Sequence, residues 1–380
     1  MYIGRLHAEH FRNLDTLEWW PHRHFNLVTG QNGQGKTNLL EAISVVAGLR
    51  SFRSARLQDC VQFGQERATV AVQAERQGVR CDLAVQFGAS ARKLFVDGKP
   101  TAGVSTYLGK LVAVLFTAAD LQLPHEEPEA RRKYLDRVVF NHEPAHLGDL
   151  RQYERVLASR NSLLRQARLG PVDPQLIDVY DGLLAQHGAR IIARRAAVLA
   201  RFAPVLSEVF ARIAAPGLSA EIAYAPRGVK KADRDVADLQ DELLGALRER
   251  RDRDLAMGHT TRGPHRDDVG LWIGGRPAQL HASQGQCRAL VLALKIAEIR
   301  SLEASLGEPP ILLMDDVSSE LDAERNRALM TYLEELGGQV FLTTTDARFI
   351  RVAAPRQVFA VHAGALTPGA VLEGAAQGES

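Results

Sequence analysis

The sequence predicts an α/β P-loop nucleotide-binding fold interrupted by a helical insertion, and three observations predict it. Gly30-Gln31-Asn32-Gly33-Gln34-Gly35-Lys36-Thr37 fits GxxxxGK[ST] at each fixed position, between an apolar strand-like run (25–29, FNLVT) and a helical one (38–47, NLLEAISVVA). A second apolar run, Ile311-Leu312-Leu313-Met314, ends in Asp315-Asp316. Such runs read as buried parallel strands, whose carboxyl ends are where α/β sheets hold ligands. From position 36 to position 315 the two halves lie 279 residues apart, against roughly 30 for a simple strand–helix–strand unit. A substantial insertion must separate them.

The remaining elements follow in chain order. Residues 2–8 alternate as a strand, and short alternating runs between 68 and 96, the last with an Asp-Gly turn, predict an antiparallel sheet beside the nucleotide-binding core. From 131 to 215 the chain is rich in Ala, Leu and Arg at helical spacing, broken at Gly170-Pro171-Val172-Asp173-Pro174 as a helical hairpin would be. Strand-like segments return at 219–224 and 269–273, before a long helix from Gln284 to about Leu306. The expected organisation is a head formed by 1–127 and 255–380 with an inserted arm, 128–254.

Composition narrows the setting. The 380 residues, 46% hydrophobic and 24% charged, suit two or three globular units and exclude a disordered or fibrous chain. Net charge is only +2, but residues 131–215 hold 14 Arg and Lys against 8 Asp and Glu, so positive charge concentrates on the insertion. Cys60, Cys81 and Cys287 are scattered, with neither CxxC spacing nor a His pair, which argues against disulfides and zinc. The opening residues lack a secretory pattern and no apolar run approaches a membrane span, so a cytoplasmic, nucleoid-associated protein without a membrane partner is expected.

The chemistry-bearing residues can be read individually. In the P-loop, glycines turn backbone amides inward around phosphates and the helix N-terminus adds partial positive charge. Lys36 reaches the β/γ oxygens, and Thr37 offers a hydroxyl to Mg²⁺. Asp315 is the expected magnesium carboxylate, and Asp316 would project toward the γ-phosphate, where a carboxylate positions water. A capping turn with both acids solvated is the plainer alternative. Ser283-Gln284-Gly285-Gln286 opens the long helix as a capping box, Ser283 at N-cap and Gln286 at N3. Gly285 is left over, costing up to about 1 kcal/mol relative to alanine unless something outside the helix approaches its backbone; phosphate would fit.

Together GQNGQGKT, the SQGQ helix start, LLMDD and the Ser318-Ser319-Glu320-Leu321-Asp322 stretch resemble the ABC-type ATPase heads of the SMC-like superfamily. Phe11-Arg12-Asn13-Leu14, Arg50-Ser51-Phe52-Arg53 and Gly263-Pro264-His265-Arg266-Asp267-Asp268 extend the resemblance, over essentially the whole chain, to the RecF family of bacterial DNA replication and repair ATPases. That resemblance implies Gly30 to Thr37 as Walker A, Asp315 as the Walker B ligand, Asp316 as the water-positioning acid, Ser283 to Gln286 as the signature and 318–322 as the D-loop, with Asp322 near nucleotide. In such heads the signature of one subunit closes over ATP held by the other. It further implies an ATP·Mg²⁺-dependent homodimer with slow hydrolysis that binds single-stranded, double-stranded, junction and gapped DNA. With RecO and RecR, the family helps place RecA recombinase, a role in repair, replication and the SOS response. The threonines 343–345 stand where transporter heads carry a switch histidine and receive no catalytic role. The chain departs from the family pattern at Ala118, Glu126 and Cys287.

Other readings remain beside this one. A transporter ATPase would use the same chemistry, but the basic arm and SQGQ in place of LSGGQ count against it. A non-hydrolysing scaffold is motivated by Asp316 being shorter than the glutamate of most such heads; phosphate release with and without gapped DNA separates it from the repair ATPase. Arginine supplies 39 of the 47 basic residues, which suits DNA-backbone contacts, with Arg151, Arg155 and Arg194 as candidates on the arm and with Arg53 and Arg56, just beyond the P-loop helix, better placed to link DNA with the nucleotide. An arginine-rich helix face is also simply a solvated face. His7, His10, His22 and His24 are expected to be structural or surface groups, GPHRDD a turn that positions Arg266 and packs the head lobe, and Trp19-Trp20 core or lobe-lobe packing.

Overall fold

A computed structural model describes residues 1–89, 92–101, 103–214, 217–317, 321–345, 350 and 352–372. The chain divides into two compact units, one formed by Met1–Leu121 with the chain from Leu294 onward and the other by Gln122–Ala293.

The first unit is built on two sheets. In the core sheet, Phe25–Thr29 pairs in parallel with Val340–Thr344 and Arg356–His362, Val340–Thr344 with Ile311–Asp315, and Ile311–Asp315 with Ala113–Thr117; Ala365–Leu372 closes one edge antiparallel. The apolar run before Asp315 is buried through Met314, as expected of a strand covered on both faces. The second sheet is antiparallel, centred on Tyr2–Phe11, Arg67–Arg76 and Val79–Gly88, so the expected patch is present. Its alternating pattern presents Ile3, Leu6, Ala8, Val70 and Val85 to the interior. The Lys36–Gly48 helix buries Leu39, Leu40, Ile43 and Val46 completely. Trp19 lies edge-on to both Phe341 and Phe359, each at 5.2 Å, tying the two sheets together. Its neighbour Trp20 is exposed; adjacent residues of a strand end point to opposite faces, so only half of the tryptophan pair is core.

The second unit differs from the expected arm in its boundaries. It holds the helices Pro128–His142, His146–Ala167, Pro174–Ile213 and Val236–Glu249, but continues past position 254 to include GPHRDD, the small sheet of Ala220–Ala225, Asp268–Ile273 and Arg276–Pro277, and the signature residues. The reason is electrostatic packing. Arg131 makes a two-pronged pair with Asp268 (3.0 and 2.9 Å), and Arg195 holds both Asp136 and Asp267, so helices and sheet share one buried ionic framework. The hairpin break behaves as expected: Asp173 caps the long helix, accepting from the Gln175 amide, with Pro174 in its first turn. Arg194, a candidate DNA contact, instead spends its guanidinium on Asp149 (2.6 Å) and Glu143 (3.1 Å). Arg151 and Arg155 remain exposed.

GPHRDD is a packing turn, with Arg266 exposed and Asp267 fully buried. Asp267 accepts from the Arg227 amide and the Tyr224 hydroxyl. The His265 ring is 2.8 Å from the Tyr153 hydroxyl and 3.1 Å from the Thr260 carbonyl, contacts that the neutral imidazole protonated on Nε2 satisfies at both ends. Burial pushes its pKa down to about 4, against the opposing Thr260 hydrogen bond. The unfolded chain takes up a proton near pH 6.5 that the folded chain refuses, so this group adds stability at neutral pH that disappears as pH falls from 6.5 toward 4, about 3 kcal/mol in all. Urea midpoints measured between pH 7.5 and 4 should fall across that window, and His265→Gln should flatten this part of the profile; an unchanged profile would place the imidazole in solvent.

Candidate nucleotide site

The site forms where parallel strands end. Asp315 sits opposite Thr343 in adjacent strands, and Phe25–Thr29, on the other side of Val340–Thr344, delivers the chain into the glycine loop. Two glycines are fixed by geometry. At Gly30 (φ 156°) a Cβ would stand 2.6 Å from the Val361 carbonyl oxygen, and at Gly35 (φ 114°) 2.8 Å from the Asn13 amide group. The loop therefore lies against its surroundings too closely for any side chain at those positions.

Among the described residues, one cleft is lined by Asn32, Gly33, Gly35, Lys36, Thr37, Asn38, Arg53, Asp315, Asp316 and Thr343. Lys36 is buried, and its ammonium donates to the carbonyls of Gly30 (2.6 Å) and Gln31 (3.0 Å). Burial lowers its pKa, while Asp316 and Asp315 pull the other way. Asp315 Oδ1 accepts from Thr37 (2.9 Å) and from Thr343 (2.8 Å), and the Asp316 amide donates to the Thr343 hydroxyl (3.0 Å). Asp316 takes a left-handed backbone, φ 51°, uncommon for a non-glycine residue. The donor set suits its expected ligands: an ammonium beside a glycine loop at a helix start for phosphate, and a hydroxyl beside a carboxylate for a hard divalent cation. No group of three or more His, Cys, Asp or Glu that could hold a metal occurs among the described residues.

Not every predicted residue reaches the cleft. The Gln34 side chain accepts from the Ala363 amide (2.7 Å), and its carbonyl from Gly364 and Asn13, so Gln34 buttresses the loop from behind. Gln31 is exposed and reaches Lys36 only through its carbonyl. The capping box forms as read: Ser283 N donates to Gln286 Oε1 (2.9 Å) and Gln286 N to Ser283 Oγ (3.2 Å), with Ser283 and Gln284 exposed and Gly285 half-buried. Asp322 caps the Ala323–Leu336 helix through the Arg325 amide. Burial opposes its charge, but Arg325 outweighs that and holds its carboxyl below the usual range. Residues 318–320 of the expected D-loop lie outside the described residues. Ala118 opens a short 3₁₀ turn, Ala118–Gln122, whose Asp120 pairs with buried Lys295 at 3.2 Å, and Cys287 Sγ lies 3.3 Å from His125 Nε2.

Sequence reasoning missed the bracing. Fully buried Glu41, on the P-loop helix, receives a two-pronged Arg12 guanidinium (2.9 and 2.7 Å) and the Ser51 hydroxyl. Asn13 bonds both Gln34 O and Asn38 (3.0 and 2.7 Å). Thus Arg12 and Asn13 of the first segment and Ser51 and Arg53 of the second converge on Glu41 and Asn38 of the P-loop helix. The local signal for it was a single charged residue, Glu41, inside a largely apolar helical run. Thr343, given no role from sequence, orients Asp315.

A P-loop cleft on a mostly parallel sheet, flanked by an antiparallel sheet, defines an ABC-type ATPase head. The description "RecF/RecN/SMC N terminal domain" matches residues 2–366, and an Smc head structure bound to the C-winged helix domain of ScpA shares the fold at TM-score 0.57 and 14% identity, covering 98% of each chain. Within that class the chain belongs to the RecF family. It is 45% identical to the DNA replication and repair protein RecF of Myxococcus xanthus over 93% of both chains, and 44% identical to that of Anaeromyxobacter dehalogenans over 97% of this chain and 99% of the relative. A structure of the recombination mediator RecF-ATPrS in the RecFOR pathway superposes at TM-score 0.89, with 31% identity over 97% of this chain and 98% of that one.

Proposed function

We propose that this protein is an ATP-dependent DNA-binding recombination-repair ATPase that dimerises on ATP, binds single-stranded, double-stranded and gapped DNA, and helps load a RecA recombinase with RecO and RecR, with slow hydrolysis resetting it. The cleft that joins the P-loop to Asp315 and Asp316 carries this reading, supported by the solved RecF structures with ATP and ATPrS. With nucleotide bound, Lys36 would turn from its own loop's carbonyls to the phosphates, Thr37 and Asp315 would hold Mg²⁺, and Asp316 would position water. The ion would neutralise charge between the phosphates. Exposed Ser283 and Gln284, at the start of a capped helix, suit closure over a nucleotide held by a second copy. A cytoplasmic, nucleoid-associated location fits; among the described residues no helix is long and apolar enough to cross a membrane.

Sedimentation with ATP, with ADP and with neither, each with and without gapped duplex, tests the reading. ATP should shift the monomer to a dimer where ADP does not. Ser283→Arg should bind nucleotide normally yet stay monomeric, because a long cation at the helix start blocks close approach. A variant that dimerises on ATP like the wild type would refute the trans arrangement.

A further inference from the structure

The segment between the P-loop helix and the Arg67–Arg76 strand is pinned at both ends and carries an aromatic ring into solvent. At its start, Arg53 lines the nucleotide cleft and donates to Asn38 of the P-loop helix (2.7 Å). Arg12 fastens the stretch from beneath, donating to Ser54 Oγ (2.6 Å) and the Asp59 carbonyl (2.8 Å) while it grips Glu41. At its end, Arg12 N donates to Cys60 O and Gln62 N to His10 O, both at 2.8 Å, around a bridge between Phe11 and Val61. Gln62-Phe63-Gly64-Gln65 then forms a turn closed by Gln65 N to Gln62 O (3.1 Å), with Gly64 at φ 83° as the third position of a type II turn requires. The apex residue, Phe63, is fully exposed, at 103% of its reference area.

An isolated exposed apolar residue needs no explanation by itself. Phe63 differs in being a ring held out on a braced turn, in a stretch where Gln58, Gln65 and Glu66 are exposed as well, and in sharing its segment with exposed cations. The side chains of Arg53, Arg56 and Arg67 are 47%, 74% and 64% exposed, each in a loose ion pair (with Glu41 at 3.6 Å, Asp59 at 3.9 Å and Glu66 at 4.0 Å) that a phosphate can displace. Polar surroundings give a protein partner no continuous apolar surface to cover, whereas a ring on a segment that also carries exposed arginines matches an unpaired base with its phosphates.

We infer that Phe63 stacks on an unpaired base of bound DNA, with Arg53 and Arg56 on the adjoining phosphates, so that the pinned segment joins a single-strand contact to the nucleotide cleft. This rests on the DNA-binding reading above and adds to it a preference for gaps. The test is fluorescence anisotropy with gapped and with continuous duplex, in the presence of an uncleavable ATP analogue. Phe63→Ala should weaken gapped DNA roughly tenfold and leave continuous duplex nearly unchanged; Phe63→Trp should retain binding, and Phe63→Leu, apolar but without a π face, should behave as alanine does. Equal gapped-DNA affinity for wild type and Phe63→Ala overturns the inference, as does wild-type affinity in Phe63→Leu or an equal loss on both DNAs. Failure of the wild type to bind either DNA would instead remove the DNA-binding reading itself, and this inference with it.

Discussion

Lys36→Met should lose ATP binding by about two to three orders of magnitude while the fold remains intact. Each charge-assisted hydrogen bond contributes about 1.5–3 kcal/mol, and the ammonium can offer two or more to the β and γ oxygens. The same change is mild for the apo protein. Lys36 is a buried cation whose pKa burial already lowers, and its protons go to two carbonyls of its own loop. Methionine keeps the stem's volume and removes the desolvated charge, so the thermal midpoint should move by only a few degrees. Titration with a fluorescent nucleotide, paired with a thermal melt, checks both halves. Binding within about threefold of wild type would mean that the ammonium never reaches phosphate.

Arg160→Met should be the most damaging single substitution in the second unit, at about 3–5 kcal/mol. Arg160, Asp181 and Asp254 are each 0% exposed. The guanidinium reaches Asp181 and Asp254 at 2.7 Å each and Thr260 Oγ1 at 2.8 Å. Arg251 still reaches Asp181 and Thr261 still donates to Asp254, but neither replaces the cation between the two carboxylates. Against a total of roughly 5–15 kcal/mol, the loss is a large fraction of native stability. Denaturant unfolding should show a much lower midpoint, with part of the loss recovered by adding Asp254→Asn. A shift below about 1 kcal/mol would mean that solvent or another cation reaches those carboxylates.

These cases show where reading the chain succeeds and where it stops. The P-loop, the strand ending at Asp315 and the Ser283–Gln286 capping box were legible because each is a contiguous pattern whose function follows from spacing along a few residues. Arg194 was not. Its place on an arginine-rich helix reads equally as a DNA face or a solvated one, and only the folded partner helices turn it onto Asp149 and Glu143. Gln34 fits the motif at a variable position, yet the hairpin that follows Arg356–His362 claims its side chain. Glu41 and Arg12 stand 29 positions apart, and no local periodicity couples them.

By itself, then, the sequence determined the identity of the phosphate loop, the buried strands, the helical hairpin and the presence of a second region between the halves of the head. Hydrophobic periodicity, glycine at a forbidden φ and capping side chains all act over a turn or two of chain. The tertiary structure alone decided which charges face solvent, that GPHRDD belongs with the helices and not with the head, that Thr343 orients Asp315, and that Arg12 and Asn13 hold the loop. A buried charge must find its counter-charge wherever the fold brings one, and that pairing depends on distances in space that spacing along the chain does not encode.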